Sequence, residues 1–366
     1  MKTTNTLTPE YYIGVMSGTS LDGIDVSVCR MTEAGMTLTH SCYQPFDVIL
    51  KERILHLINA ECTLKDIGEV DHQLGHLFAN AVVETLEGCQ LEPSNIAAIG
   101  LHGQTVWHQP DHMTSFTMQL GDPNIVAVRT GIKTVADFRR RDMALGGQGA
   151  PIAPAFHQFL FGSLVGDTVV VNIGGMSNIS VLGNTVQGYD TGPGNVLIDA
   201  WCHEKFNVTF DKDGAIAQRA EIDEVMLEAM LADRYFLLPS PKSTGREYFN
   251  RDWLRPFVQG GMRDDTVLAT LTELTARSIA NEVRRFTPER LLLCGGGANN
   301  VFLRGRIASQ LDGVEVVCTD AYGIPGDWME SMAFAWLAYK RLREEEIELK
   351  NVTGASQNTI LGAVYA

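Results

Sequence analysis

Two stretches of the chain, one in each half, share a single layout: a strand, a tight turn rich in glycine and small polar residues, and a second strand. The first is 14–25 and the second is 172–180. Glycine suits such a turn because it takes positive φ at little cost, and a turn with little side-chain bulk exposes backbone N–H groups that bind phosphate oxygens. An ordinary hairpin turn with serine and threonine as turn formers is the alternative. The repetition favours a duplicated domain with one phosphate-binding turn in each half.

Length, charge and cysteine content exclude several classes of protein. With 366 residues, of which 45% are hydrophobic, the chain can form two domains that each bury a core. The net charge of −15 disfavours nucleic-acid and anionic-membrane partners. The seven scattered cysteines include no CxxC pair, which indicates a reducing compartment without disulfides or a zinc site. The polar N-terminus and the lack of an apolar run of about 18 residues predict no signal peptide or membrane span, and hence a cytoplasmic protein.

A polar segment follows the apolar run 96–101, which is typical of a buried strand. Open α/β sheets bind their ligands where strands end. His102 and Gln104 are therefore candidates for hydrogen bonds to a substrate, and a purely structural role is the alternative.

The densest positive charge of the chain lies at 139–141, between Asp137 and Asp142 and before a glycine-rich loop at 144–151. Arginine suits carboxylate and phosphate groups because its guanidinium donates paired hydrogen bonds. This segment predicts a site for an anionic or polyhydroxylated ligand. The alternative is a surface network in which the arginines pair with the neighbouring aspartates.

Two acidic residues are candidates for catalysis. Asp190 follows a predicted strand and precedes a Gly-Pro-Gly turn, and its alternative role is to cap the next helix, for which Asn195 is better placed. Glu330 lies three residues after Asp327, a spacing that also fits a capping box.

A run of three glycines, 295–297, follows the short apolar strand 290–294. Bare glycines allow a flat ring or a phosphate to approach the backbone. The chain contains neither GxxxxGK[ST] nor a strand-linked GxGxxG, which argues against a P-loop and a Rossmann nucleotide site.

Two phosphate-binding turns and a late glycine loop resemble the superfamily of sugar kinases, heat-shock protein 70 and actin. More closely, the chain resembles the anhydro-N-acetylmuramic acid kinase family over nearly its whole length. The segments that carry this resemblance, all in the same order, are 14–25, 102–105, 136–151, 172–180, 188–199, 241–250, 294–299 and 327–336.

The resemblance implies an α/β fold with two actin-like (ribonuclease H-like) domains, each with a mixed five-stranded sheet flanked by helices, and an active site in the cleft between them. The expected domains are 1–135 with 340–366, and 136–339. The implied partners are ATP with Mg²⁺ and 1,6-anhydro-N-acetylmuramic acid, with a homodimer as a further expectation.

The implied reaction opens the anhydro ring with water and phosphorylates O6 from ATP, which gives N-acetylmuramic acid 6-phosphate and ADP during peptidoglycan recycling. Asp190 is then the general base, and Glu330 is the second catalytic candidate. Two other functions stay open: an ordinary kinase of the same fold that acts on a free amino sugar, and a non-enzymatic regulator that senses ATP or sugar.

The implied binding residues fall into two sets. The expected ATP-binding residues are Gly18, Thr19, Ser20, Leu21, Asp22, Gly23, Ile24, Asp25, Asn172, Gly174, Gly175, Gly295, Gly296 and Gly297. The expected substrate-binding residues are His102, Gln104, Arg139, Arg140, Gln148 and Gly149. Many members of the superfamily carry an aspartate where this chain has Met16 and Asn172, so the metal ligands stay unassigned, with Asp22 as a substitute.

Overall fold

The computed structural model describes residues 10–18, 21–32, 35–110, 113–240 and 242–366. The chain divides into two compact units: unit 1 is Met1–Phe156 with Trp328–Ala366, and unit 2 is His157–Asp327. Thr19 and Ser20, which the sequence places among the ATP-binding residues, lie outside the described residues.

Both units contain strands and helices. The strands are β1 Glu10–Ser17, β2 Gly23–Thr32, β3 Gly35–Pro45, β4 Ile96–Gln109, β5 Phe116–Leu120, β6 Thr134–Ala136, β7 Thr168–Ile173, β8 Met176–Val181, β9 Gln187–Pro193, β10 Arg290–Cys294, β11 Glu315–Cys318 and β12 Ala363–Tyr365. The α-helices are α1 Val48–Asn59, α2 Leu64–Cys89, α3 Pro123–Thr130, α4 Arg140–Ala144, α5 Ala153–Phe161, α6 Val196–Trp201, α7 Glu224–Leu231, α8 Arg234–Leu237, α9 Arg251–Leu254, α10 Asp264–Val283, α11 Val301–Ala308, α12 Met329–Leu342 and α13 Lys350–Thr353. Within the described ranges, none of the helices combines the length and the apolar character that a membrane crossing requires.

The two sheets repeat one topology. In unit 1 the strand order is β12-β6-β4-β1-β2-β3, with β5 paired to β4, and in unit 2 it is β11-β10-β7-β8-β9. In each unit an antiparallel meander (β1-β2-β3 or β7-β8-β9) lies beside a later strand that runs parallel to its first strand. This common order confirms the α/β fold with two mixed sheets and matches the repeat seen in the sequence.

Unit 2 has the five strands that the sequence predicts, whereas the sheet of unit 1 has seven. The two extra strands extend the same five-strand order. β5 pairs with the distal half of β4, because β4 continues beyond the predicted end of that strand, and β12 pairs with β6 at the edge.

The structure also assigns 136–156 and 328–339 to unit 1, not to the second domain as the predicted boundaries have it. The reason is α12, which packs its backbone directly on the sheet of unit 1. A Cβ on Gly14 would lie 1.7 Å from the carbonyl oxygen of Ser331, and one on Gly100 would lie 1.9 Å from that of Phe334. The hydroxyl groups of Ser27 and Ser331 share a hydrogen bond of 2.6 Å across the same interface.

Apolar side chains fill both cores. On unit 1, α1 and α2 bury Ile54, Leu74 and Phe78 against the sheet. On unit 2, α10 buries Ile279 and Val283 against the central strands β7 and β10. The loops at the ends of these strands are thereby held on rigid elements.

The close approach of α12 predicts that Gly100→Ala destabilises unit 1. The added Cβ meets a backbone carbonyl that cannot rotate away, so we expect the free energy of unfolding to fall by about 1–3 kcal/mol. Urea unfolding followed by circular dichroism measures this change. Gly68→Ala is the control: Gly68 is exposed on α2 with no atom within 4 Å of its added Cβ, and the substitution should stabilise the helix by about 0.5–1 kcal/mol. Equal effects of the two substitutions would contradict the packing argument.

Candidate functional site

The turn between β1 and β2 depends on positive φ at Leu21, not at a glycine of the turn. Leu21 has φ of 56°, and its buried side chain belongs to the core of unit 1. Gly23 is required for space, because a Cβ there would lie 2.3 Å from the carbonyl oxygen of Gln44. Ile24 is also fully buried, so Leu21 and Ile24 can offer a ligand only their backbone groups.

His102 and Gln104 hold this turn. They do not lie in a loop, as the sequence predicts, because β4 continues through both of them to Gln109. The Gln104 amide donates to the Gly18 carbonyl oxygen at 3.3 Å, and Ser17 Oγ donates to Gln104 Oε1. Gln104 is fully buried and His102 is 7% exposed, so the structure places both side chains behind the turn.

A chain of hydrogen bonds sets the tautomer of His102. Its Nδ1 lies 3.3 Å from the carbonyl oxygen of Ser17 and must donate, so Nε2 accepts from Arg139 Nη2 at 3.0 Å. Burial, and then the charge of Arg139, lowers the pKa of His102 to about 3. The imidazole is therefore neutral and acts as a link between Arg139 and the turn.

Arg139 is the arginine that the fold directs inward. Its Nη1 donates to the carbonyl oxygen of Gly149 at 3.0 Å, while its Nε is buried with no partner among the described residues. Burial lowers the pKa of Arg139 to about 10, and the nearby carboxylate of Glu330 acts in the opposite direction. The structure thus brings Arg139, Gly149 and Glu330 together around one charged guanidinium.

The neighbouring residues behave differently. Arg140 forms an ion pair with Asp137 at 3.7 Å on the surface, as the network alternative proposed. The Asp142 carboxylate is used within the fold instead: its Oδ2 accepts from the Gly149 amide at 2.8 Å and its Oδ1 accepts from Thr353 Oγ1 at 2.8 Å. The Gln148 side chain is exposed, and its backbone amide donates to the carbonyl oxygen of Thr353.

Glu330 is exposed in the first turn of α12. The helix begins after Trp328, and the Asp327 carboxylate accepts from the Asn299 side chain at 3.0 Å instead. Asp327 is therefore not the N-cap residue of α12, and the role of Glu330 stays a prediction.

Asp190 lies inside β9, not at the end of a strand as the sequence predicts. It faces Asn178 next to the point where the ladder between β8 and β9 shifts its register. Its Oδ2 accepts hydrogen bonds from Ser243 Oγ at 3.1 Å and from the Thr244 amide at 3.0 Å. Asn195 does occupy the position before α6, although its side chain makes no capping hydrogen bond.

Burial raises the pKa of Asp190 to about 6. The hydrogen bonds from Thr244 and Ser243 act in the opposite direction, and the carboxylate of Glu247 adds to the rise. A carboxylate with such a pKa is ionised at neutral pH and can accept a proton readily, which suits a general base.

The segment that holds Asp190 is tied to the core by a buried ion pair. Lys242 Nζ lies 2.8 Å from Glu282 Oε1, and their side chains are only 2% and 8% exposed. Tyr189 Oη donates to Glu282 Oε2 at 3.0 Å, and the Asp190 amide donates to the Lys242 carbonyl oxygen at 3.0 Å. Sequence reasoning missed this group of residues. The signals in the sequence were the polar loop 239–247, which contains Lys242, and the acidic Glu282 within the apolar pattern of α10.

The second turn and the glycine loop meet at the end of β7. Gly295 has φ of 78°, and a Cβ there would lie 2.2 Å from Asn172 Oδ1. A Cβ on Gly297 would lie 2.3 Å from Ile173 Cγ2, whereas one on Gly296 would meet nothing within 4 Å. The Gly174 carbonyl oxygen accepts from the Asn195 amide at 2.8 Å. The structure therefore brings Asn172, Gly174 and the glycine loop together in unit 2.

The metal ligands stay unassigned. In the described part of the chain, no three His, Cys, Asp or Glu side chains form a group that could hold a metal ion. Asp22 is 65% exposed and lies 3.6 Å from Lys51 Nζ. Asp25 lies on β2, opposite Met16 and Tyr43.

A family model and two curated relatives point to the same family. The family model for anhydro-N-acetylmuramic acid kinase matches residues 10–366. A protein of that name from Sulfurovum sp. (strain NBC37-1) is 53% identical over 97% of this chain and 99% of its own length. Another from Vibrio vulnificus (strain CMCP6) is 51% identical over 98% of this chain and 99% of its own length.

The fold also resembles solved structures. Component A of (R)-2-hydroxyglutaryl-CoA dehydratase from Acidaminococcus fermentans superposes with a TM-score of 0.50 at 12% identity, over 91% of this chain and 99% of the other. At this identity the likeness concerns the fold alone. The family match and the identities over nearly the full length show that the chain belongs to the anhydro-N-acetylmuramic acid kinase family.

Proposed function

We propose that this protein is an ATP-dependent kinase that opens 1,6-anhydro-N-acetylmuramic acid with water and phosphorylates O6. The products are N-acetylmuramic acid 6-phosphate and ADP, and the process served is the recycling of peptidoglycan amino sugars in the cytoplasm. Relatives of that name match the chain over 97–98% of its length. The observation that carries the mechanism is the Asp190 carboxylate, which two donors orient and whose pKa burial raises to about 6.

Asp190 acts as the general base in this mechanism. It takes a proton from water, whose oxygen attacks C1 of the sugar while the C1–O6 bond breaks. O6 then accepts the γ-phosphoryl group, and ADP leaves. Because both reacting ends must be held in line, positioning and charge stabilisation supply most of the rate.

The candidates for binding the phosphates of ATP are described for each unit by itself. In unit 1 they are Gly18 and the backbone groups of 21–25, and in unit 2 they are Asn172, Gly174 and Gly175 of the second turn. Gly295–Gly297 suits the adenosine, because Gly296 is open while Gly295 and Gly297 leave no room for a side chain. Mg²⁺ is expected to arrive with ATP, and it commonly keeps waters and phosphates as most of its ligands.

Arg139 is our candidate for the lactyl carboxylate or a phosphoryl oxygen. It keeps its positive charge, and its buried Nε has no partner in the described part of the chain. The Gly149 carbonyl oxygen and His102 fix the direction of the guanidinium. Glu330 lies beside it and is proposed to orient it or the sugar. His102 and Gln104 are proposed to support the turn between β1 and β2 rather than to contact the sugar. Arg140 and Gln148, which are exposed, remain candidates for binding the substrate. A homodimer stays a prediction that light scattering can test.

The first prediction concerns the substrate. The purified protein should turn over ATP with 1,6-anhydro-N-acetylmuramic acid, and in ¹⁸O-labelled water the label should appear at C1 of the product, not in the phosphate. Coupled ADP release and mass spectrometry measure both. Turnover confined to free N-acetylmuramic acid would identify an ordinary kinase instead, and nucleotide binding without any turnover would identify a regulator.

The second prediction concerns Asp190. Asp190→Asn removes the base with little change in shape, so kcat should fall about 10²–10⁴-fold. Nucleotide affinity, measured by calorimetry, and the circular dichroism spectrum should stay unchanged. The control is Asp252→Asn, because Asp252 is exposed and pairs with Arg255. A near-normal rate for Asp190→Asn would remove this residue from the mechanism.

The third prediction concerns pH. A base must be deprotonated, so kcat/KM should rise with pH through about 6 and then level off, following the raised pKa of Asp190. Ser243→Ala removes a donor that lowers this pKa, and the midpoint should therefore move to higher pH. If the midpoint belonged to ATP, wild type and Ser243→Ala would share it.

A further inference from the structure

The segment that holds Asp190 also carries an arginine with no assigned role. Arg246 is exposed and lies against the second turn of unit 2. A Cβ added to Gly175 would lie 3.6 Å from Arg246 Nη2 and 3.9 Å from its Nε. A side chain at position 175 would therefore contact the guanidinium, which places Arg246 beside the turn.

The charge of Arg246 is not neutralised within the described residues. The structure records no carboxylate within 4 Å of its guanidinium and no hydrogen-bond acceptor for it there. Some arginines of unit 2 do pair with carboxylates: Arg277 with Glu224 and Glu228, and Arg306 with Glu273.

The backbone on both sides of Arg246 is fixed. On one side, the Thr244 amide donates to Asp190 and Lys242 pairs with Glu282 in the core. On the other, Phe249 is fully buried and packs edge-on against Tyr235 with ring centroids 5.3 Å apart. The arginine thus projects from an anchored segment, which limits the entropy lost when it binds a ligand.

A second donor lies beside the guanidinium. The Gly175 carbonyl oxygen accepts from the Gly194 and Val196 amides, but no acceptor for the Gly175 amide occurs among the residues that the structure describes. A free backbone N–H next to a free guanidinium is a recurrent arrangement for binding carboxylate or phosphate. Glu247, the nearest acidic neighbour in sequence, acts on Asp190 and raises its pKa.

We propose that Arg246 and the Gly175 amide bind an anionic group of one of the two substrates, either a phosphoryl group of the nucleotide or the lactyl carboxylate of the sugar. This proposal rests on the proposed function for the identity of the ligands. Arg246 would give the turn at 174–175 a charged side chain for binding the anion. Without Arg246, the turn could bind an anion only through its backbone groups.

The test compares Arg246→Gln and Arg246→Lys with the wild-type protein. Calorimetry measures binding of a non-hydrolysable ATP analogue, AMP and 1,6-anhydro-N-acetylmuramic acid, and steady-state kinetics gives kcat and KM. Loss of a charge-assisted hydrogen bond should weaken one ligand by about 10–100-fold, with partial rescue by lysine. Arg255→Gln is the control, because Arg255 is 79% exposed and pairs with Asp252 on the same unit.

The arms of the test separate the two sources of the anion. If only the ATP analogue is weakened and AMP is not, Arg246 binds the β- or γ-phosphate. If 1,6-anhydro-N-acetylmuramic acid is weakened but 1,6-anhydro-N-acetylglucosamine, which has no lactyl group, is not, Arg246 binds the carboxylate. A fall in kcat alone supports binding of the phosphoryl group during transfer.

Binding and kinetic constants of Arg246→Gln that all stay within twofold of wild type would overturn the proposal. Calorimetry needs no turnover, so it also keeps the two proposals apart. Weakened nucleotide binding by Arg246→Gln in a protein that does not open the anhydro sugar would retain the anion site and reject the proposed reaction.

Discussion

The buried ion pair between Lys242 and Glu282 is the constraint on which the candidate site depends. Burial alone would raise the pKa of Glu282, but the hydrogen bonds from Lys242 and Arg285 lower it below its usual value. Breaking such a pair by removal of one partner leaves a buried charge and typically costs about 3–5 kcal/mol. The pair therefore fixes the segment after 242, and that segment in turn orients the Asp190 carboxylate and positions Arg246.

The two units use one topology but stabilise their turns differently. In unit 1, side chains from β4 reach the turn from behind: Gln104 bonds to Ser17 and Gly18, and His102 bonds to Ser17. In unit 2, backbone groups stabilise the turn, since the Gly194 and Asn195 amides donate to the carbonyl oxygens of Gly175 and Gly174. The duplicated fold thus preserves the position of each turn while the contacts that support it have diverged.

Local patterns predicted the strand-turn-strand layout that both halves share, and they single out Asp190, whose role as the base stays a prediction. They failed where the decisive contact is distant in sequence. His102 and Gln104 looked like loop residues because polar side chains rarely occupy a buried strand, and only the bonds to Ser17 and Gly18 explain their burial. Likewise, no spacing rule connects Asp190 with Ser243 and Thr244 or Lys242 with Glu282, because the fold alone brings these segments together.

The proposed substrates are anions, and the chain itself carries a net charge of −15, so the two should repel each other at long range. At physiological salt, exposed charges are largely screened beyond about 8 Å, so the net charge matters less than the donors within contact distance. Arg139 is accompanied by the carboxylate of Glu330 and fixed by His102, which suits directional hydrogen bonding. Arg246 has no carboxylate within 4 Å in the described part of the chain, so its full charge is available. The two arginines therefore suit different roles. Arg139 is held in a fixed direction and can orient a ligand, whereas Arg246 can attract an anionic group by its charge.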